Sequence, residues 1–279
     1  MHKHRVRWPL RTMCRALQVS RSGYYAWRRR PTSVRARRRD HLGSAIREVH
    51  SRSRRSYGSP RVHVALNRGG VTCCVNTVAR IMREDGLRAR SKRKYKITTD
   101  SSHRLPVAEN LLNRGFVRSR PNEAWVADIT YIRTDQGWLY LATELDLYSR
   151  RIVGWAMSDR MTSDLVIGAL VMAVERRRPS AGLIHHSDRG SQYASRSFQK
   201  LLAAHGMFCS MSRKADVYDN AVMESFYGTL KTELVNLVRY ATRQEAKQAI
   251  FEWIEVFYNR QRLHSSLGYQ TPADFEPAA

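Results

Sequence analysis

Apolar and polar residues alternate along three consecutive segments that begin near residue 122. The segments NEAWVADITYIR, GWLYLATELDLYSR and RIVGWAMSD each follow the period of two that is typical of a β-strand with one buried face. Turn-forming residues separate them at 134–137 and 149–150. The pattern therefore predicts three successive strands that form an antiparallel meander.

The spacing of the apolar residues then changes to that of helices. A helix is predicted from residue 163 to about 178, followed by a short buried strand in GLIHHSD and an amphipathic helix in SRSFQKLLAAHG. Two more helices are predicted at 219–237 and 244–259, and a looped tail follows them. This order predicts an α/β domain over residues 121–279, in which a mixed sheet carries helices on its faces.

The N-terminal part of the chain shows helical patterns. In residues 1–56, MCRALQVSRSGYYAW predicts a small helix-turn-helix with a polar turn at Ser20, and RRRPTSVRARRRD predicts an exposed arm. Residues 57–96 predict a second helix-turn-helix and a basic connector. Pro60 begins the first helix, Gly69 and Gly70 interrupt the pattern, and Gly86 ends the second helix. Residues 97–120 are predicted to be a linker.

The charge of the chain is concentrated in this N-terminal part. The whole sequence has 49 Lys and Arg against 24 Asp and Glu, a formal net charge of +25. Residues 1–120 contain 31 of the basic and 6 of the acidic residues, whereas residues 121–279 contain 18 of each. Such a basic segment indicates a polyanionic partner, and double-stranded DNA fits the predicted helix-turn-helix.

Candidate DNA contacts lie in the second helix-turn-helix and in the connector after it. Arg80 and Arg83 project from the final helix, which can enter a major groove. The connector RARSKRKYK contains Lys92, Arg93 and Lys94, and it suits phosphates better than bases because it lacks a rigid scaffold. The alternative is a helical hairpin with a solvated basic face.

The sequence disfavours a membrane-spanning or secreted protein. The longest apolar run, residues 165–174, has 10 residues, whereas a bilayer core requires roughly 20. The basic N-terminus lacks an apolar stretch followed by a small-residue cleavage site, so no secretory signal is predicted. The four Cys residues form no CxxC pair, and no zinc module is predicted. The expected location is the cytoplasm, in association with the nucleoid.

Three carboxylates occupy positions where a structural role is difficult to assign. Asp128 lies inside the first predicted strand, and Asp188 ends the short strand GLIHHSD. Glu224 lies on the predicted helix NAVMESFYGTLKTEL, four residues after Asn220 and seven before Lys231, so these three side chains share one side of the helix. A single buried Asp could also be a capping or paired residue.

These segments together resemble transposases of the insertion-sequence-three family, specifically the second-reading-frame product with a retroviral-integrase-like catalytic core. WVADITYI, HHSDRGSQY and DNAVMESFYGTLKTEL resemble its three DDE blocks, YGSPRVHVAL and TVARIMREDGL its N-terminal helical block, and YNRQRLHSSLGYQTP its C-terminal block. The resemblance covers nearly the whole chain. It implies an RNase H-like fold with a mixed five-stranded sheet, and it assigns catalysis to Asp128, Asp188 and Glu224.

The resemblance also implies a reaction and a set of partners. The expected reaction is metal-dependent cleavage and transfer of DNA strands at the terminal inverted repeats of an insertion sequence. The expected partners are DNA, further copies of the chain and the product of an upstream reading frame, to which family members are often fused.

A cation is expected among the three acids. Two like charges about 4 Å apart repel by roughly 4 kcal/mol at an effective dielectric near 20, so such a cluster makes little sense without one. Oxygen-only ligands favour Mg²⁺ or Mn²⁺, and two ions are expected.

Other side chains are candidates for supporting roles. Lys231 and Asn220 are expected to contact DNA, although Lys231 could be a solvated lysine and Asn220 a helix-start residue that satisfies backbone amides. Tyr193, beside the turn after Asp188, is expected to meet a nucleotide. His186 either orients a water or a phosphate or is a satisfied core histidine. The aromatic residues predicted to pack in the core are Trp125, Trp138, Tyr140 and Trp155.

Two other functions are compatible with these features. A nuclease of the same fold would share the acids but would not join strands. A DNA-binding regulator would use the second half of the chain as an inactive dimerisation platform, and the intact acids argue against it.

Overall fold

Two short helices begin the chain in the computed structural model, which describes residues 1–90, 107–213 and 217–276. Helices α1 (Leu10–Ala16) and α2 (Arg21–Arg29) form the small helical pair predicted for the N-terminus. The Ser20 hydroxyl accepts a hydrogen bond of 2.9 Å from the Gly23 backbone N–H. Ser20 therefore caps α2 at the predicted polar turn.

The arginine-rich segment that follows is mostly exposed, as predicted, but it is helical, so the prediction of an unpacked arm is wrong. Helix α3 (Val34–Arg52) contains most of it. Arg39 donates hydrogen bonds to Glu84 at 2.9 Å and to Asp85 at 3.0 Å, and Arg47 donates one to Asp85 at 2.6 Å. The local charge density could not reveal these pairs, because the acids lie 38 to 46 residues further along the chain.

The second helix-turn-helix has the predicted elements. It consists of α4 (Ser59–Arg68), with Pro60 in its first turn, and α5 (Val75–Glu84). Gly70 and Gly86 follow the two helices with φ angles of +80° and +67°, a conformation that glycine adopts at little cost. The shared core of α3, α4 and α5 includes Ile46, Val62, Leu66, Val78, Ile81 and Met82.

The second half of the chain is built on a five-stranded mixed sheet, as expected. The strands are β1 (Ala124–Thr134), β2 (Gly137–Asp146), β3 (Ile152–Ser158), β4 (Ile184–Ser187) and β5 (Phe208–Met211), in the order β3-β2-β1-β4-β5. The first three form the predicted antiparallel meander, and β4 and β5 add parallel strands. The alternation pattern did not locate β5, because that strand has four residues and its Phe208 is 58% exposed.

Helices cover both faces of this sheet. They are α6 (Ser163–Arg177), α7 (Arg196–Ala204), α8 (Ala221–Glu233) and α9 (Arg243–Glu252), which continues as a π-helix at Trp253–Tyr258. Short 3₁₀ turns at Val217–Asn220 and Val235–Leu237 flank α8, so the helix predicted at 219–237 is divided. The tail is not only looped, since it contains the short helix α10 (Pro272–Phe275).

Consecutive residues of β1 contribute to two separate cores. Trp125 packs with α6 and α7, whereas Val126 packs with α8 and α9. Because neighbouring side chains of a strand point to opposite faces, α7 and α8 lie on opposite sides of the sheet. In the described ranges, no helix is both long and apolar enough to cross a membrane.

The helix-turn-helix packs against the C-terminal tail. The Tyr57 hydroxyl accepts a hydrogen bond from the Leu263 N–H at 2.7 Å and lies 3.2 Å from the Gln261 carbonyl oxygen, to which it donates. Leu263 is also part of the core of α3, α4 and α5. Further along the same surface, Arg54 forms an ion pair of 2.7 Å with Glu252 of α9. The helix-turn-helix is thus attached directly to the second half of the chain.

Candidate active site

Asp128 lies just beyond the point where strands β1 and β4 stop pairing. Strands β1 and β4 are paired from Ala124 to Val126, and Asp128 is two residues beyond the last pair. The carboxyl ends of parallel strands are where ligands bind in α/β folds. The carboxylate accepts a hydrogen bond of 2.7 Å from the Ile129 backbone N–H, which orients it.

Asp188 follows directly after β4, at the same end of the parallel pair. Its carboxylate accepts a hydrogen bond of 2.9 Å from the Gly190 N–H. A Cβ atom at Gly190 would lie 2.9 Å from an Asp188 carboxylate oxygen, closer than real Cβ contacts. The glycine of the sequence RGSQY therefore permits the tight turn that holds this acid.

Glu224 approaches from the first turn of α8, and its side chain is exposed. The start of α8 is anchored by the fully buried Asp219, which accepts hydrogen bonds from the Arg213 side chain at 2.9 and 3.0 Å, from Asn110 at 2.8 Å and from Arg114 at 3.3 Å. These donors hold the pKa of Asp219 far below its usual value, so it stays ionised.

Tyr227 connects this helix to Asp128, and the sequence analysis missed it. Its hydroxyl donates to the Asp128 carbonyl oxygen at 2.5 Å and lies 2.9 Å from the Thr143 hydroxyl of β2. Burial raises the pKa of the phenol well above its usual value, which keeps it a donor. Its position three residues after Glu224, on the same side of the helix, could have indicated it.

The three acids act on one another electrostatically. Burial raises the pKa of Asp128 well above its usual value, and the negative charges of Asp188 and Glu224 raise it further. The Ile129 N–H and the Lys231 ammonium oppose this rise. Burial also raises the pKa of Glu224. Within the described ranges, no three His, Cys, Asp or Glu side chains already form a set of metal ligands.

Lys231 lies beside an aromatic pair near the acids. Its ammonium is 4.9 Å from the centroid of the Tyr131 ring, and Tyr131 makes an edge-on contact with Trp138 at 5.0 Å.

The prediction of core packing is wrong for Trp138, which is 46% exposed, whereas Trp125 is fully buried. Tyr140 and Trp155 are half-buried. Trp138 is exposed because it lies next to the β1–β2 turn, at the rim of a groove that Lys231 also lines.

Two candidates near Asp188 belong to the core. Tyr193 is 1% exposed and packs edge-on against Phe198 with ring centroids 5.4 Å apart, so it cannot meet a nucleotide as predicted. His186 is fully buried, with its ring nitrogens 2.8 Å from the Ser210 hydroxyl and 3.2 Å from the Ser212 hydroxyl. Burial lowers the pKa of His186 to about 4, as expected for the core-histidine alternative.

The remaining candidates, which were predicted to contact DNA, lie in separate parts of the chain. Asn220 is 8% exposed, makes no capping bond to α8, and directs its amide group toward the Ala127 carbonyl oxygen at 3.5 Å. Arg80 and Arg83 are exposed on α5, and Arg80 lies 3.9 Å from the Glu84 carboxylate. Lys92, Arg93 and Lys94 lie outside the described residues.

Both halves of the chain match known domain families. Residues 118–216 and 205–272 match two families described as integrase core domains, and residues 37–95 match an HTH-like domain. A solved structure of the HTLV-2 integrase catalytic core domain in complex with magnesium is 16% identical with a TM-score of 0.43, covering 57% of this chain and 98% of that one.

Two curated relatives match over almost their whole length. An uncharacterised 31 kDa protein of insertion element IS600 from Shigella sonnei is 48% identical, covering 94% of this chain and 97% of the relative. Transposase InsF of insertion sequence IS3A from Escherichia coli K12 is 43% identical, covering 99% and 96%. The chain therefore belongs to the DNA transposases of the IS3 type, which join an HTH-like domain to an integrase catalytic core.

Proposed function

We propose that this transposase cleaves and joins DNA strands with divalent metal held by Asp128, Asp188 and Glu224. The observation that carries the proposal is the environment of Asp128. Its carboxylate lies where two parallel strands end, and both other acids act on its charge. A half-buried carboxylate that faces two others is a typical place for a cation, because a positive charge offsets the repulsion.

The donor set fits a hard divalent cation. Three carboxylates offer oxygen ligands only, which Mg²⁺ and Mn²⁺ prefer, and both ions keep waters and phosphate oxygens among their ligands. We expect two ions at this set. The chemistry that they supply when bound is activation of a water or a DNA 3′-hydroxyl and stabilisation of the leaving 3′-oxygen.

The protein holds the three carboxylates in place to different degrees. The Ile129 N–H orients Asp128, and the Gly190 N–H orients Asp188. Glu224 keeps the freedom of an exposed side chain, on a helix whose start is anchored. We propose that it turns toward Asp128 when a cation makes the approach favourable, since staggered rotamers differ little in free energy.

DNA would be held by three groups of residues. Arg80 and Arg83 of α5 would read the terminal inverted repeats in the major groove, and Lys92, Arg93 and Lys94 would bind phosphates. Lys231 would lie along the strand that leads to the acids. Joining two ends requires at least two protomers, and the product of the upstream reading frame is a further partner on the nucleoid.

Substitution of the acids tests the proposal. We expect Asp128→Asn, Asp188→Asn and Glu224→Gln each to lower strand cleavage and joining by at least about 1,000-fold, because acids that act as one unit fail together. Binding to the element end should stay within about twofold of wild type, since none of the three belongs to the DNA-recognition helices. Asp159→Asn, which changes an exposed acid after β3, is the matched control.

A labelled-end joining assay decides among the three functions. A transposase yields joined products that require Mg²⁺ or Mn²⁺, whereas a nuclease yields only cut strands. A regulator binds the end equally well without metal and releases no cut strand. Full joining activity in any of the three acid variants would refute the assignment.

A further inference from the structure

A positively charged cleft lies where the helix-turn-helix meets the catalytic half. This junction cleft has a volume of about 530 Å³ and is lined by Arg61 of α4, Arg90, Arg150 of the β2–β3 turn, and Arg262 of the tail. One of its walls is α8, through Ser225 and residues further along that helix. The cleft thus joins the first helix of the helix-turn-helix to the helix that carries Glu224.

The positive charge of the cleft is only partly neutralised. Its one lining carboxylate, Glu233, is bound by Arg262 through hydrogen bonds of 2.8 to 3.2 Å. Among the described residues, Arg61, Arg90 and Arg150 form no ion pair with a carboxylate. The Arg61 guanidinium lies 5.7 Å from the centroid of the Tyr57 ring. The lining residues therefore carry a surplus of three positive charges.

Arg150 lines this cleft, and the hydrogen bonding of its guanidinium is incomplete. One of its guanidinium nitrogens, Nη2, donates to the Phe116 carbonyl oxygen at 3.1 Å, but Nη1 is buried without a hydrogen-bond partner. The backbone of Arg150 also has a φ angle of +61°, which is unfavourable for residues other than glycine, asparagine or aspartate. A buried donor without a partner is unfavourable, so a ligand that brought an acceptor within reach of Nη1 would be favoured.

The neighbouring His264 is affected by the positive charges of the same arginines. It is 7% exposed and lines the cleft, and its Nε2 atom has no partner among the described residues. Burial lowers its pKa far below the usual value, and the charges of Arg262, Arg61 and Arg150 lower it further. Burial and the charge of Arg262 likewise lower the pKa of Arg61.

We propose that the junction cleft binds a backbone phosphate of the DNA end, an inference that rests on the proposed function. Guanidinium and hydroxyl groups are the usual donors to DNA phosphates, and exposed Ser225, Ser265 and Ser266 line the cleft beside the arginines. In helix-turn-helix complexes the first helix crosses the DNA backbone, and Arg61 lies on that helix. Occupation of the cleft would hold the DNA-binding helices and α8 in one orientation.

Charge-neutralising variants test this site. We expect Arg61→Gln and Arg150→Gln each to weaken binding of a labelled element-end duplex roughly tenfold to a hundredfold. The slope of log affinity against log salt should fall by about 1 in magnitude, because one phosphate contact is lost. Arg196→Gln, on exposed α7 across the sheet, is the matched control and should bind as wild type. Wild-type affinity and slope in both cleft variants would overturn the inference.

A second measurement does not depend on the folding of the Arg150 variant. Single methylphosphonates, which remove one phosphate charge each, are placed along the end duplex. We expect one position to weaken binding by the wild-type chain and to have no further effect on Arg61→Gln. The absence of any such position would also overturn the inference.

The competing outcomes separate the two proposals. If Arg83→Gln abolishes preference for the element end but the cleft variants bind as wild type, the proposed function stands and the cleft assignment fails. If the wild-type chain shows no preference for the element end over random DNA, the proposed function fails. If inorganic phosphate raises the melting temperature of wild type but not of Arg61→Gln, while both bind DNA equally, the cleft takes a free anion and the DNA assignment is wrong.

Discussion

Asp128 combines an environment that disfavours its charge with the catalytic role proposed for it. Its carboxylate is half-buried and faces two other acids, and Lys231 only partly offsets their charges. Each unit by which a pKa rises corresponds to about 1.4 kcal/mol that disfavours the ionised form. Folding therefore works against the charged state that a metal ligand needs, and a bound cation would reverse this.

This environment predicts the effect of Asp128→Asn on stability. Without divalent cations the variant should be more stable than wild type at neutral pH, by about 1 to 2 kcal/mol, because the amide carries no charge to bury or repel. About 10 mM Mg²⁺ or Mn²⁺ should raise the melting temperature of wild type but not of the variant. Thermal melts with EDTA and with each metal provide the measurement, and equal responses in both proteins would contradict the metal site.

The sequence supplied three acids as candidates but predicted the burial of two aromatic residues wrongly. Asp128, Asp188 and Glu224 were identified from motifs, but Tyr193 was expected at the surface and is buried. Trp138 was expected in the core and is exposed. Motifs identify the type of a residue and its place on an element, whereas its burial depends on which distant segments pack against it.

Among the elements, the packing of β3 against α6 depends on one glycine. A Cβ atom at Gly154 would lie 2.7 Å from the Cβ of Ala173 and would also clash with the Ala169 carbonyl oxygen. The strand therefore approaches the helix backbone more closely than any side chain allows. This contact fixes α6 on the face of the sheet opposite α8.

The close approach predicts that Gly154→Ala is destabilising. The free energy of unfolding should fall by about 1 to 3 kcal/mol, because the helix must move away from the strand. Gly168→Ala is the matched control on α6, where a Cβ would meet only the Cβ of Ala156 at 3.3 Å. That substitution should cost less, since Ala favours a helix over Gly by up to about 1 kcal/mol. Urea unfolding of both variants is the measurement, and an unchanged Gly154→Ala would contradict the packing.

Elements with a strong local period were predicted well, and weak ones were not. Strands β1 to β3 and helices α4 to α6 have clear periods in the sequence, and their predicted positions agree with the structure. Helix α3 was interpreted as an arm, because its arginines look unneutralised until α5 brings Glu84 and Asp85 beside them. Strand β5 is too short to show alternation, and it is stabilised by pairing with β4.

For the whole molecule, the C-terminal tail joins the two halves of the chain. His264 of this tail is under the influence of Arg61 from the helix-turn-helix, Arg150 from the catalytic half and Arg262 from the tail itself. Burial and these charges keep it neutral in the folded state, whereas an unfolded histidine has a pKa of about 6.5. Protonation therefore favours the unfolded chain.

This linkage predicts how stability depends on pH. Below about pH 6.5 the unfolded chain binds a proton at residue 264 that the folded chain does not bind, so stability falls as the pH is lowered. Between pH 7 and pH 5 this histidine should account for a loss of about 2 kcal/mol. His264→Asn should reduce the pH dependence of urea unfolding by that amount, and the exposed His205→Asn serves as control. An unchanged dependence in His264→Asn would show that the junction is open to solvent.

The sequence by itself determined the main strands and helices and the family, and it supplied the three acids as candidates, because periodicity and motifs are properties of short segments. Only the tertiary structure decided that Arg61 and Arg150 line one cleft, that Tyr227 supports Asp128, and that Glu224 is exposed beside its partners. Arg61 and Arg150, which are 89 positions apart in the chain, meet in this cleft. Their burial and charge pairing depend on how whole elements pack, and no local pattern carries that information.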